Sequence, residues 1–223
     1  MRSMPRWRGL IACGIVWASL WLTACVAPEP APVLDQLTRP EPDSVRQRAA
    51  RRLQLAAAYY EDNQDDVAQQ EVRAALQIDP SYAEAYSLLG LIHQRLNAAE
   101  LASKSFEQAL KLAVGPQATP ADLGAVQHNY GWFLCQQNRL AEGQTQLARA
   151  LSQPGYAGVT KTWMVLGQCQ KMAGQNLQAR NSWLQALSRD PQNRWVRERL
   201  AELDAAATPA TRPSEAAPKS DSR

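Results

Sequence analysis

The sequence is poor in the side chains that carry out chemistry. It has two histidines and four cysteines in 223 residues. It contains no C-x-x-C pair, no H-E-x-x-H, no phosphate-binding glycine loop and no G-x-S-x-G, so zinc, metalloprotease, nucleotide and α/β-hydrolase chemistries lack their signatures. His128 and Cys135 are the obvious base and nucleophile, but seven residues along a helix separate them by about 10 Å, too far for proton transfer. The acidic residues are scattered along helical stretches as solvated faces. We therefore expect no enzymatic activity, no metal, no cofactor and no small-molecule substrate. Aromatics are scarce at 7%, yet 45% hydrophobic and 20% charged residues exclude both a fully disordered chain and a multi-span membrane protein.

No acid occurs in residues 1–24, where Arg2, Arg6 and Arg8 precede an apolar run from Leu10 to Leu22. This is the charged start and apolar middle of an export signal, and the run is short for a transmembrane helix. It ends in Leu22-Thr23-Ala24-Cys25, which resembles the lipobox of bacterial lipoproteins, with small residues ahead of a cysteine that is diacylated before the signal is cut away. The resemblance implies a covalent lipid on Cys25. Val26 rather than Asp after it implies sorting to the outer membrane, facing the periplasm. Cleavage also removes the basic excess: three of the 24 Lys and Arg leave with the signal, so 21 basic residues face 21 acidic ones and the formal +3 vanishes. Nucleic-acid binding needs a basic patch. The one basic cluster left, Arg46 to Arg52, reads as the solvated face of a first helix, so no nucleic-acid partner is expected.

Beyond Cys25, residues 25–44 hold Pro28, Pro30, Pro32, Pro40 and Pro42 without helical periodicity, which predicts an extended tether. Residues 205–223 carry three prolines and no bulky apolar side chain, which predicts a disordered tail. Between them, residues 45–204 contain a repeat. Leu55-Ala56-x-x-Tyr59, followed by Ala68, Val72, Ala75 and Pro80, returns 34 residues later as Leu89-Gly90-x-x-His93, then Ala102, Phe106 and Ala109. Tyr130-Gly131-x-x-Leu134 with Gly143, Leu147 and Ala150 is a third copy. Trp163-x-x-Leu166-Gly167 with Ala179, Trp183, Ala186 and Pro191 is a fourth.

These copies resemble the tetratricopeptide (TPR) pattern. Small residues let the first helix approach the second, a large one fills the space between, and proline stops the second helix. The expected architecture is an all-α TPR superhelix with four helix-turn-helix repeats near 49–82, 83–116, 124–157 and 160–193. A capping helix at 192–204 turns Trp195, Val196, Leu200 and Leu203 inward. Extra residues at Val114–Ala121 and around Gln153–Gly155 read as loop insertions, and repeat 3 departs from the pattern at Tyr130 and Gly143.

After export Cys135 and Cys169 meet an oxidising compartment. They fall in the first helices of neighbouring repeats, which leaves a disulfide or two buried thiols. The bond would close a loop of about 35 residues and contribute on the order of 3 kcal/mol. TPR arrays bind protein segments along the face of their first helices. By repeat position that face carries Leu53, Ala57 and Tyr60 in repeat 1, then Ser87, Leu91 and Gln94 in repeat 2. It continues with His128, Asn129 and Trp132 in repeat 3 and with Lys161, Met164 and Gln168 in repeat 4. Ala57 stands where chaperone-type TPRs place an asparagine for a C-terminal carboxylate, which disfavours that class.

The lipobox, the Pro-rich tether and the repeats, and above all His128-Asn129-Tyr130-Gly131-Trp132-Phe133-Leu134-Cys135-Gln136, resemble the type IV pilus biogenesis and stability proteins of the PilF/PilW type over roughly Leu20–Ala205. The resemblance implies a pilotin: a lipoprotein that binds secretin subunits through its TPR groove and promotes their localisation and multimerisation in the outer membrane. It also implies a cysteine pair in repeats 3 and 4. Better-known members have about six repeats, whereas this chain shows four and a terminal helix. The rival expectation is a TPR scaffold lipoprotein of envelope or cell-wall assembly with no pilus role.

Overall fold

A computed structural model describes residues 44–207. The signal segment, Cys25, the prolines of the tether and residues 208–223 of the tail lie outside the described residues. Nine helices run through the described residues: α1 (Val45–Glu61), α2 (Asp65–Ile78), α3 (Ala83–Arg95), α4 (Ala99–Leu112), α5 (Pro120–Gln136), α6 (Leu140–Leu151), α7 (Val159–Met172), α8 (Asn176–Leu187) and α9 (Arg194–Ala207). They pair as α1/α2, α3/α4, α5/α6 and α7/α8, each second helix packs on the next first helix, and α9 closes the row against α8. The array is all-α, as expected. α9 runs to Ala207, so the boundary expected at 204 falls inside it.

Each hairpin turns on one residue in the left-handed region. Asn63, Asn97 and Asn138 have φ of 60°, 59° and 61°, and Gly174 has 73°. The amide after each one bonds back into the first helix, as Gln64 N to Tyr59 O (2.8 Å) and Ala98 N to His93 O (2.8 Å), which satisfies carbonyls that a helix end leaves open. Asparagine tolerates this conformation better than other non-glycine residues. That signal, an Asn or Gly once per repeat, is easily passed over beside the louder prolines.

Small and large residues interlock within each pair. Val72, Phe106, Leu147 and Trp183 are each at most 1% exposed, and each faces a small residue of its partner helix. A Cβ on Gly90 would stand 2.8 Å from the Phe106 ring, one on Gly131 2.8 Å from Leu147, and one on Gly167 would overlap the Trp183 indole. Repeat 1, with the smallest filler, has Ala56 in place of the glycine, in one cluster with Val72. Filler volume and backbone approach thus vary together, as close packing demands.

The insertion expected at Val114–Ala121 is partly helix. Thr119 and Asp122 form a reciprocal cap, Thr119 N to Asp122 Oδ2 (2.8 Å) and Asp122 N to Thr119 Oγ1 (3.2 Å), with Pro120 in the first turn. Proline is favoured there because the amide it lacks would have no partner, so α5 starts at Pro120 and not near 124. Burial in α5 runs round much of its circumference, taking in Gly124, Val126, Gln127, Tyr130, Gly131, Phe133, Leu134 and Cys135. A helix buried all round belongs in a core.

Candidate protein-binding site

Helix α5 joins repeat 2 to repeat 4 residue by residue. Asn129 Nδ2 donates to Ser87 Oγ of α3 (3.0 Å). Tyr130 and Phe133 stack on Phe106 of repeat 2, with ring centroids 5.6 and 5.2 Å away. Gln136 accepts from Gln94 of α3. In the other direction His128 Nδ1 lies 2.8 Å from Thr162 Oγ1 of α7, and Cys135 is bonded to Cys169, with Cα atoms 5.6 Å apart. Of the two states left open for the cysteines, the structure holds the disulfide. It also gives Gly143 a reason, because a Cβ there would run into Cys135 Sγ and stand 2.7 Å from Gly131 O. The alanine usual at that position is excluded by the sulfur.

Five of the residues expected on the groove come together in repeats 3 and 4. His128, Trp132, Lys161, Met164 and Gln168 line one cleft of about 370 Å³, joined by Val165 and by Trp195 of α9. Three successive first helices therefore supply its walls. Its parts are fixed from behind. Trp183 Nε1 donates to the Met164 carbonyl (3.1 Å), and Asn193 Nδ2 reaches the Met164 sulfur (3.7 Å). Trp195 meets the Trp183 ring edge-on at 6.2 Å, with Arg199 5.7 Å from its own ring. Thr162, fully buried, links the His128 ring to the Tyr156 hydroxyl (2.9 Å). Burial, with a smaller push from Lys161, lowers the His128 imidazole to about 4, so it is neutral at physiological pH.

Trp195 was expected inward and is not: it is 38% exposed, while Val196, Leu200 and Leu203 are buried. The sequence holds the correction. Thr162, Leu166 and Cys169 are the buried stripe of α7, and a further 34 residues along stand Val196, Leu200 and Leu203. The same step carries exposed Lys161 onto Trp195. Val165 was missed because it lies between two expected positions.

The face expected in repeats 1 and 2 is occupied by the protein's own contacts. Ser87, placed on the groove by repeat position, is only 3% exposed; its hydroxyl is taken by Asn129 and cannot meet a partner. Asn129 is used the same way. The Arg95 guanidinium sits 3.5 Å from the centroid of the Tyr60 ring and 2.8 Å from Asp65 Oδ1. Leu53, Ala57 and Leu91 pack on the core of repeat 1, and Gln94 is held by Gln136.

The tetratricopeptide repeat family model matches residues 83–113, which are α3 and α4. The fold is a TPR superhelix. An uncharacterized protein of Haemophilus influenzae is 32% identical over 108 residues, 48% of this chain and 56% of its own length. The type IV pilus assembly protein PilF of Pseudomonas aeruginosa is 30% identical over 115 residues, 52% of this chain and 43% of its own. The chain spans about half the length of the curated relatives it matches. In structure, P. aeruginosa PilF superposes with a TM-score of 0.66 at 25% identity, over 74% of this chain and 71% of that one. PilW, a widely conserved type IV pilus biogenesis factor, superposes at 0.64 with 28% identity, over 72% and 70%. This TPR chain is thus similar to type IV pilus biogenesis proteins in both sequence and fold.

Proposed function

We propose that the chain is a lipoprotein of type IV pilus assembly, held at the periplasmic face of the outer membrane by a diacylated Cys25. It acts as a pilotin that binds secretin subunits through the first-helix face of its TPR array. The open cleft of repeats 3 and 4, on a scaffold similar to PilF and PilW, carries this reading. The role asks for no chemistry. Acyl chains bury about 0.8 kcal/mol per CH₂, so two or more chains hold the anchor at the membrane. A tethered binding face then raises the local concentration of its partner there.

Replacing Cys25 by Ser tests the anchor: the protein should leave the outer-membrane fraction and secretin multimers should fall. Deleting the gene should remove both multimers and twitching motility. Normal multimers in the deletion strain would overturn the pilotin reading and favour the scaffold without a pilus role.

A further inference from the structure

The cleft has a definite chemistry. Trp132, Met164, Val165 and Trp195 make it apolar. Its volume is at the small end of binding pockets, enough for an anchoring side chain and too little for a helix laid along a groove with several anchors. The rest of the face offers no second pocket for such a helix, since Tyr60 and Gln94 are engaged within the protein.

Charge at the rim is equally specific. Lys161 is exposed, and among the described residues no carboxylate pairs with it. The arginines of α9 are already matched, Arg194 by Glu198 (2.6 Å) and Arg199 by Glu202 (2.9 Å). His128 adds no charge and Gln168 offers only an amide. A lone ammonium beside an apolar pocket whose walls are held from behind is a preorganised site for one acidic group next to one apolar anchor.

We propose that the cleft binds an extended segment of the partner through an aromatic or branched aliphatic side chain seated between Trp132, Met164 and Trp195, with a neighbouring Asp or Glu side chain on Lys161. This rests on the reading that the first-helix face binds a protein segment. A side-chain carboxylate fits better than a chain terminus, because terminal carboxylates are held by several donors and here Lys161 stands alone.

The test uses full-length protein in detergent and fluorescein-labelled, end-capped pentapeptides read by anisotropy. The reference probe has Phe followed by Glu at its centre. Replacing its Glu by Lys should weaken binding at least tenfold, and replacing its Phe by Ala should abolish it. Trp195→Ala should weaken the reference probe tenfold or more with the thermal midpoint changed little. Lys161→Glu, at an exposed site, should reverse the preference so that the Lys peptide binds better than the Glu peptide. No binding of the reference probe at millimolar concentration, an unchanged preference in Lys161→Glu, or tighter binding of a peptide ending in a free Phe carboxylate would each overturn the proposal. In cells, Lys161→Glu should lower secretin multimers. Normal multimers in that strain beside their loss in the deletion strain would sink the cleft and leave the pilotin reading standing.

Discussion

Leu91 of repeat 2 and Trp132 of repeat 3 each follow the close-packing glycine of a first helix, and their surroundings differ. Leu91 is packed between the core of repeat 1 and the aromatic cluster around Phe106, whereas Trp132 opens onto the cleft. Around Leu91 the face is closed by Arg95 on Tyr60 and by Gln94 on Gln136. Around Trp132 the neighbouring first helices are joined by the Cys135–Cys169 bond and the His128–Thr162 contact. Repeats that rely on side chains crossing the face to hold their helices have a closed face. Repeats held by a covalent bond and a buried polar link can leave theirs open.

That contrast breaks most severely if the cross-link is removed. The double substitution Cys135→Ala, Cys169→Ala should cost about 3 kcal/mol. Hydrogen exchange should then show α5–α9 opening more readily than α1–α3, since stability in repeat arrays is regional; equal acceleration in both halves would contradict the division. Next comes Gly143→Ala, which installs the residue that repeats 1, 2 and 4 carry there. Overpacking should cost about 2 kcal/mol, and roughly half of that penalty should vanish when the substitution is made in the cysteine-free protein, because Cys135 Sγ is the atom in the way.

The two halves should also respond to pH with opposite sign. His128 has its folded value depressed to about 4 from 6.5, so its contribution is fully present above about 6.5 and lost as pH falls through 4. Between pH 7.5 and 5 the loss should be about 2 kcal/mol, and denaturation of His128→Gln should lack that slope. Glu84 of α3 has its folded value raised to about 7, mainly by burial and also by its hydrogen bond to Asp122 of α5. Its contribution is therefore present below its ordinary range and lost as pH rises through 7. Glu84→Gln should flatten the alkaline limb and leave the acid limb alone. The smallest effect belongs to Arg95→Ala, which removes a half-exposed ring contact and ion pair. It should lower stability by about 1 kcal/mol without changing capture of the reference peptide at the distant cleft; altered capture would mean that the two halves of the face are coupled.

The architecture was legible because close packing writes itself into residue size: Gly90 with Phe106, Gly131 with Leu147 and Gly167 with Trp183 recur at the repeat spacing. The site was legible in part. Repeat position identified the first-helix face, but it does not say which side chains there are already engaged, so Ser87 and Asn129 were expected open and instead bond each other. Trp195 was hidden by a different cause. A terminal helix is naturally read for what it buries, and α9 also serves as the first helix of an uncompleted repeat. Pro120 was taken for loop because proline marks both a break and a helix start, and only the Thr119–Asp122 cap separates the two.

Helix α9 has a neighbour on one side only. In a row of repeats the end unit loosens first, so the wall carrying Trp195 has a docked and an undocked state, and only the docked state completes the cleft. A partner seated against Trp195 therefore meets an affinity scaled by the docked fraction, and by mass action its binding holds α9 in place. The free end of the array is in this sense a conformational tax on binding, and anything that fastens α9 to α8 would tighten the cleft without touching a residue that lines it.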